Sequence, residues 1–270
     1  MTEDIRETVR ERYGRIATTQ DSNCGCGCGP QESSDMSLEI GYTREELASI
    51  PDAADLGVGC GNPLALAEIE AGNTVLDLGS GAGIDCFLAS ERVGERGWVI
   101  GVDMTDEMLE RARRNAEQGG YSNVEFRKGE IEALPVGSDS VDRIVSNCVI
   151  NLSPDKSKVF GEAYRVLRSG GVLTVSDIVL AAALPAPIRD SVNAYVGCIA
   201  GALLRDDYLA AIRDAGFAKV EVVGEAAYAS DALLDLPDVR ELVAESRLSL
   251  EEARAAAESV VSIKVRAIKP

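Results

Sequence analysis

The stretch Val75-Leu76-Asp77-Leu78-Gly79-Ser80-Gly81-Ala82-Gly83-Ile84-Asp85 constrains the fold of this chain most tightly. Val75, Leu76 and Leu78 form an apolar run of strand length, and Ile84 to Ala89 resumes with helical spacing. Between them Gly79, Gly81 and Gly83 permit positive φ and close approach of a ligand to the backbone. This pattern predicts the first βα unit of a doubly wound α/β fold, with backbone N–H groups and a helix N-terminus facing a ligand at the carboxyl end of the strand. A dinucleotide fingerprint would need a third glycine three residues after Gly81, and that place holds Ile84. The next strand, Trp98 to Asp103, ends in an acid 20 residues after Gly83, the spacing of a carboxylate on ribose hydroxyls.

With 270 residues, 46% of them hydrophobic, the chain can bury a substantial core. Lys and Arg number 27 against 45 Asp and Glu, a net charge of −18 that repels phosphate backbones and argues against a nucleic-acid substrate. The charged start Met1-Thr2-Glu3-Asp4 carries no apolar leader, and no stretch is long and apolar enough to span a bilayer, so a cytoplasmic protein without a membrane partner is expected. Seven cysteines in a reducing compartment remain available for chemistry. There is no histidine, so catalysis must run on carboxylates, phenols, thiolates or no base at all.

Asp77, two residues ahead of Gly79, stands where S-adenosylmethionine enzymes carry an acid for the cofactor's ammonium. Together with Asp103 this resembles a class I methyltransferase more than a dehydrogenase. That resemblance implies a mostly parallel seven-stranded sheet with helices on both faces. Residues 1–42 are expected to form a helix and a mobile cysteine-rich loop, 43–180 the S-adenosylmethionine-binding core, and 181–270 an acceptor-pocket insertion with the closing strands. The cofactor would be held by Asp77, Gly79, Ser80, Gly81, Gly83, Asp103, Met104, Glu130, Ile131 and Asn147. Of the two glutamates after the third strand, Glu130 is preferred to Glu132 as the acid near the adenine amine.

Along the chain, residues 3–18 predict an amphipathic helix, which packs on the main domain, binds a partner, or covers the cofactor with Tyr13. Residues 19–37 read as a loop carrying Cys24, Cys26 and Cys28 alternating with glycines. Such a run suits soft metals or metalloids, or is a tail with incidental thiols. Leu56 to Asn62 is a second glycine-rich loop, followed by a predicted helix from Pro63 to about Glu70. Cys60 would then sit at a loop-to-helix junction that favours a thiolate, or in a structural turn. Cys148 ends the fourth strand. Residues 181–202 break the strand–helix alternation with a mostly apolar helix that carries Cys198 in an apolar setting.

The segments Asp77 to Cys86, Gly101 to Thr105, Ser146-Asn147-Cys148-Val149-Ile150-Asn151-Leu152 and Gly197-Cys198-Ile199-Ala200-Gly201-Ala202 resemble the arsenite methyltransferases. The resemblance extends from about residue 10 to about 217. It implies methyl transfer from S-adenosylmethionine to trivalent arsenic, a small metalloid substrate, held by Cys60, Cys148 and Cys198. One of Cys24, Cys26 and Cys28 would be the upstream thiol that pairs with Cys60 during turnover, reopened by thioredoxin or glutathione. Compared with longer members, a domain after the sheet is expected to be short or missing. Rival readings are a methyltransferase for an organic acceptor and a thiol-based metalloid binder without turnover.

Overall fold

A computed structural model of the chain describes residues 2–18, 30–227 and 248–270, together with Leu234, Arg240 and Val243. Seven strands form one sheet in the order β3-β2-β1-β4-β5-β7-β6. They are β1 (Thr74–Leu78), β2 (Trp98–Asp103), β3 (Val124–Lys128), β4 (Val141–Asn147), β5 (Leu167–Leu180), β6 (Ala218–Ala227) and β7 (Val260–Ile268). Strands β1 to β5 pair in parallel, and only β7 runs antiparallel to its neighbours β5 and β6. The mostly parallel sheet expected from sequence is therefore present, with one reversed strand inserted near its edge.

Both faces of the central strands are covered, which is why β1, β2 and β5 read as nearly continuous apolar runs. On one face α4 (Ile84–Val93) and α5 (Asp106–Gly119) pack Phe87, Leu88 and Leu109 against Val75 and Val99. On the other, α6 (Lys156–Val166) and α9 (Arg205–Asp214) pack Phe160, Tyr208 and Ile212 against Ile144, Leu173 and Val265. The strand order reverses between β1 and β4, and ligands of doubly wound folds bind outside the carboxyl ends at that point.

Three local expectations are corrected. The predicted loop over 19–37 does not reach Ser37, because α2 occupies Pro30–Glu39, with its proline at the first helical position. The predicted helix from Pro63 to Glu70 is a single 3-10 turn, Leu64–Leu66. Glu68 takes the left-handed conformation, with φ 48°, and Arg92 and Arg143 draw off the carbonyls of Leu64 and Glu68 that a longer helix would have used. The single apolar helix expected within 181–202 is two short ones, α7 (Ala186–Arg189) and α8 (Val192–Val196), so Cys198 lies in a turn. The helix α1 (Thr2–Thr18) and short α3 (Arg44–Ser49) precede the sheet, and α10 (Leu250–Glu258) leads into β7.

Candidate active site

The glycine turn after β1 is stitched to β2 by Gly79 N–H and Ser80 N–H, which donate to Val102 O at 2.8 and 3.0 Å. Gly79, Gly81 and Gly83 have φ of 69°, 51° and 100°, the left-handed region that L side chains rarely adopt. Space also forbids side chains: a Cβ on Gly79 would strike Val149, and one on Gly83 would strike Phe87. Asp103 is fixed just beyond, accepting from Gly81 N–H (3.0 Å) and Thr105 N–H (2.8 Å).

Two adjoining cavities of about 740 and 480 Å³ open over this turn and share Val58, Gly79, Gly81 and Asn147. The larger lobe is lined by Asp103, Met104, Ile131, Glu132 and Cys148, and is covered by Val9 and Tyr13 of α1. The smaller is lined by Tyr42, Asp55, Asp77, Ser80 and Asp85. Glu132 rather than Glu130 faces the larger lobe. Glu130 stands at its lip, 3.5 Å from Arg6 and 4.0 Å from Arg10, while Arg6 also reaches Glu132 at 2.8 Å. Gly83 lines neither lobe and serves as the N-cap of α4.

The smaller lobe gathers buried carboxyls. Burial, reinforced by neighbouring Asp85, holds the Asp77 carboxyl well above the usual carboxylate range. Burial pushes Asp85 up to about 6, against hydrogen bonds from Tyr42 and Asn147. Burial also raises Asp103 despite its backbone donors. A positively charged ligand in the smaller lobe would relieve Asp77 and Asp85, which line it. Ser80 Oγ and Asp55 Oδ2 are buried without a protein partner, so polar valences are left for such a ligand. An ammonium-bearing, sulfonium-containing nucleoside fits this donor set.

Three thiols converge beyond the larger lobe. Cys60 is held from its backbone: its N–H donates to Asn147 Oδ1 (3.0 Å), its carbonyl accepts from Ser262 Oγ (2.9 Å), and its thiol points to Ser176 O (3.4 Å). Asn147 Nδ2 also donates to Gly61 O (2.7 Å) and Tyr42 OH (2.9 Å), tying the Cys60 loop to β4. Gly61 is required there, since a Cβ would overlap Ser176 Oγ. Cys148 follows β4 directly and donates its N–H to Ser176 O (2.8 Å). Cys198 turns its thiol onto Cys148 O (3.0 Å). Both Cys148 and Cys198 are left-handed, with φ of 57° and 64°, a conformation costing a non-glycine residue about 1–2 kcal/mol.

The three thiols lie together: the Cys60 and Cys148 sulfurs are within 4.8 Å of each other, and Cys198 Sγ is 3.0 Å from the Cys148 carbonyl. Burial raises the Cys60 thiol, so the thiolate-favouring helix junction expected from sequence is absent. The bond from Cys198 draws Cys148 down, yet its bond to Cys60 and its burial carry it well above the ordinary thiol value. The bond to Cys148, then burial, does the same for Cys198. Without a ligand the cluster is thus neutral and protonated. Cys86, the fourth cysteine among the described residues, packs in the core and donates to Asp77 Oδ2 (3.3 Å). Cys24, Cys26 and Cys28 lie outside the described residues.

Sequence reasoning missed Asp177, fully buried in β5, whose carboxylate lies within 4.8 Å of the Cys60 and Cys148 sulfurs. Burial pushes it up to about 7, against bonds from Ile178 N–H and Tyr208 OH. A lone acid in the apolar run Val175-Ser176-Asp177-Ile178-Val179 was the readable signal. Tyr42, Asp55 and Asp85 of the smaller lobe carried no comparable one.

A doubly wound sheet in this strand order, with a glycine turn flanked by Asp77 and Asp103 at the switch point, defines a class I methyltransferase. A family profile described as a methyltransferase domain matches residues 69–216. Curated arsenite methyltransferases are similar over 82% of this chain: that of Halobacterium salinarum at 48% identity and that of Homo sapiens at 36%. The chain spans 59% and 60% of those proteins' own lengths. The crystal structure of an arsenic(III) S-adenosylmethionine methyltransferase from Chlamydomonas reinhardtii superposes with a TM-score of 0.65 at 34% identity, covering 88% of this chain and 73% of that one. The chain belongs to the arsenite S-adenosylmethionine methyltransferase family.

Proposed function

We propose that this protein transfers the methyl group of S-adenosylmethionine to trivalent arsenic held by Cys60, Cys148 and Cys198. The observation that carries this reading is the convergence of three buried thiols, 5%, 8% and 4% exposed, where Cys148 also lines the cofactor groove. Three thiols take arsenous acid with loss of three waters and no net proton, As(OH)₃ + 3 RSH → As(SR)₃ + 3 H₂O, so a protonated, histidine-free cluster is competent. When bound, S-adenosylmethionine supplies an electrophilic methyl group on a cationic sulfur. Asp77 and Asp103 would hold its ammonium and ribose, the glycine turn its backbone, and Met104, Ile131 and Glu132 its base; Glu130 at the lip would serve from outside. The thiols aim the arsenic lone pair, α1 excludes water, and no general base is needed because arsenic carries no proton to remove.

Transfer formally oxidises arsenic by two electrons. Two thiols closing to a disulfide return them, and one of Cys24, Cys26 and Cys28 would partner Cys60, with thioredoxin or glutathione reopening the bond. Such a cycle belongs in a reducing compartment such as the cytoplasm, where it would serve detoxification. In this reading residues 43–180 are the cofactor-binding core, 1–42 contribute its cover and redox loop, and 181–270 contribute the roof over the thiols with the closing strands. Support for the roof comes from Leu184, Ile188, Val196 and Cys198, which share one apolar cluster with Cys60 and Cys148. Among the described residues no helix is long and apolar enough to cross a membrane.

The test is arsenic speciation after incubation with arsenite, S-adenosylmethionine and a thiol reductant. Cofactor-dependent methylated arsenic is expected, and Cys148→Ser and Cys198→Ser should abolish it while cofactor binding survives. Arsenite bound without product would instead indicate a binder, and full activity in either variant would overturn the thiol assignment.

A further inference from the structure

We propose that Cys60, Cys148 and Asp177 form a binding site for a thiophilic divalent cation, of which Zn²⁺ is the probe of choice. Their ligand atoms all lie within 4.8 Å of one another, and all three residues are buried. They come from three separate places: the loop before β1, the end of β4, and β5. A trithiolate of arsenic is complete with sulfur alone and leaves the carboxylate without a role. A tetrahedral zinc ion uses this mixed set, with Zn–S near 2.3 Å and Zn–O near 2.0–2.2 Å. Cys198, whose thiol donates to the Cys148 carbonyl at 3.0 Å, or a water would fill the fourth position.

The surroundings of Asp177 resemble those of a supported ligand. Asn151 Nδ2 and Ile178 N–H each donate to Oδ1 at 2.9 Å, and Tyr208 OH donates to Oδ2 at 3.0 Å, which fixes the carboxylate's orientation. Charge also balances. Two thiolates and a carboxylate leave one net negative charge around a dication, and the half-buried Lys156 ammonium attracted to Asp177 offsets it. Binding displaces the two thiol protons, Zn²⁺ + 2 RSH + RCOO⁻ → [Zn(SR)₂(OOCR)]⁻ + 2 H⁺, whereas arsenous acid releases none. The site stands whether or not arsenic is the substrate. Where both bind, they compete for Cys60 and Cys148.

The reduced, chelator-stripped full chain would be titrated with Zn²⁺ alone and its K-edge X-ray absorption recorded. Expected are two or three sulfur scatterers at about 2.3 Å with an oxygen at about 2.0–2.2 Å. Asp177→Asn should weaken Zn²⁺ by at least about tenfold, since loss of even an outer-shell partner commonly costs that much; arsenite binding, which uses sulfur alone, should persist. Cys148→Ser should weaken both. An all-sulfur shell in the native protein overturns the proposal even if the asparagine variant folds poorly. So does Zn²⁺ binding that survives Cys148→Ser and vanishes only when Cys24, Cys26 and Cys28 are all replaced.

Discussion

Replacement of Asn147 by alanine isolates what the end of β4 does for the thiol site. The amide accepts from Cys60 N–H at 3.0 Å and donates to Gly61 O at 2.7 Å. Truncation strands both backbone groups, and an unsatisfied buried group costs about 1–3 kcal/mol, so the pair predicts a loss of about 2–6 kcal/mol in denaturant unfolding. Arsenite affinity should fall at least about tenfold, the equivalent of about 1.4 kcal/mol, because the Cys60 sulfur loses its fixed backbone. Tyr42→Phe is the control. It removes the Tyr42 OH bonds to Asp85 (2.8 Å) and from Asn147 Nδ2 (2.9 Å) but leaves the Asn147 contacts to Cys60 N–H and Gly61 O. It should cost about 1–3 kcal/mol and leave arsenite affinity unchanged. An Asn147→Ala variant destabilised by less than about 0.5 kcal/mol, with native arsenite affinity, would refute the argument, since even one stranded group costs more.

Two further outcomes follow from the charges around the site. Asp177 has an ordinary value of 3.8 and stands at about 7 in the folded chain; at 1.36 kcal/mol per unit this is about 4 kcal/mol of pH-linked stability. Because the folded value is the higher one, that stability is fully present below pH 4 and lost as the pH rises through 7. The stability difference between native protein and Asp177→Asn, measured in chelator from pH 4 to 8, should shrink or reverse with rising pH, and a flat difference would contradict the burial argument. Arg6 clamps α1 to Glu132 at 2.8 Å beside the larger cavity, the proposed cofactor groove. Arg6→Ala should speed cofactor dissociation about fivefold, in keeping with about 1 kcal/mol for a part-exposed pair, and should remove most of the salt dependence of that rate; stopped-flow displacement reads both.

The glycine turn and its flanking strands were legible in the sequence because they are local. Gly79, Gly81, Gly83 and Asp103 lie within one βα unit and its successor, and their spacing alone sets the geometry. Cys148 and Cys198 were legible only through resemblance, since nothing around either residue predicts a left-handed backbone. The helix expected after Pro63 failed because Arg92 and Arg143, distant in sequence, take carbonyls from that segment. Asn147 was read as a cofactor residue, and it lines both cavities over the glycine turn. Its hold on the Cys60 loop depends on a packing of β4 against a segment 87 positions earlier, which no short-range pattern encodes. Asp177 was overlooked for the same reason, its partners Asn151 and Tyr208 being 26 and 31 positions away.

The bond from Ser262 Oγ to the Cys60 carbonyl spans 202 positions. Closing a loop that long costs about 5 kcal/mol of chain entropy, so this contact forms late in folding. Strand β7, which carries Ser262, also wedges between β5 and β6. The Cys60 loop therefore receives its last anchor only after residues 260–268 have left the ribosome. A nascent chain can expose its thiols and settle its glycine turn, but the Cys60 carbonyl gains its Ser262 partner only once β7 has emerged and paired.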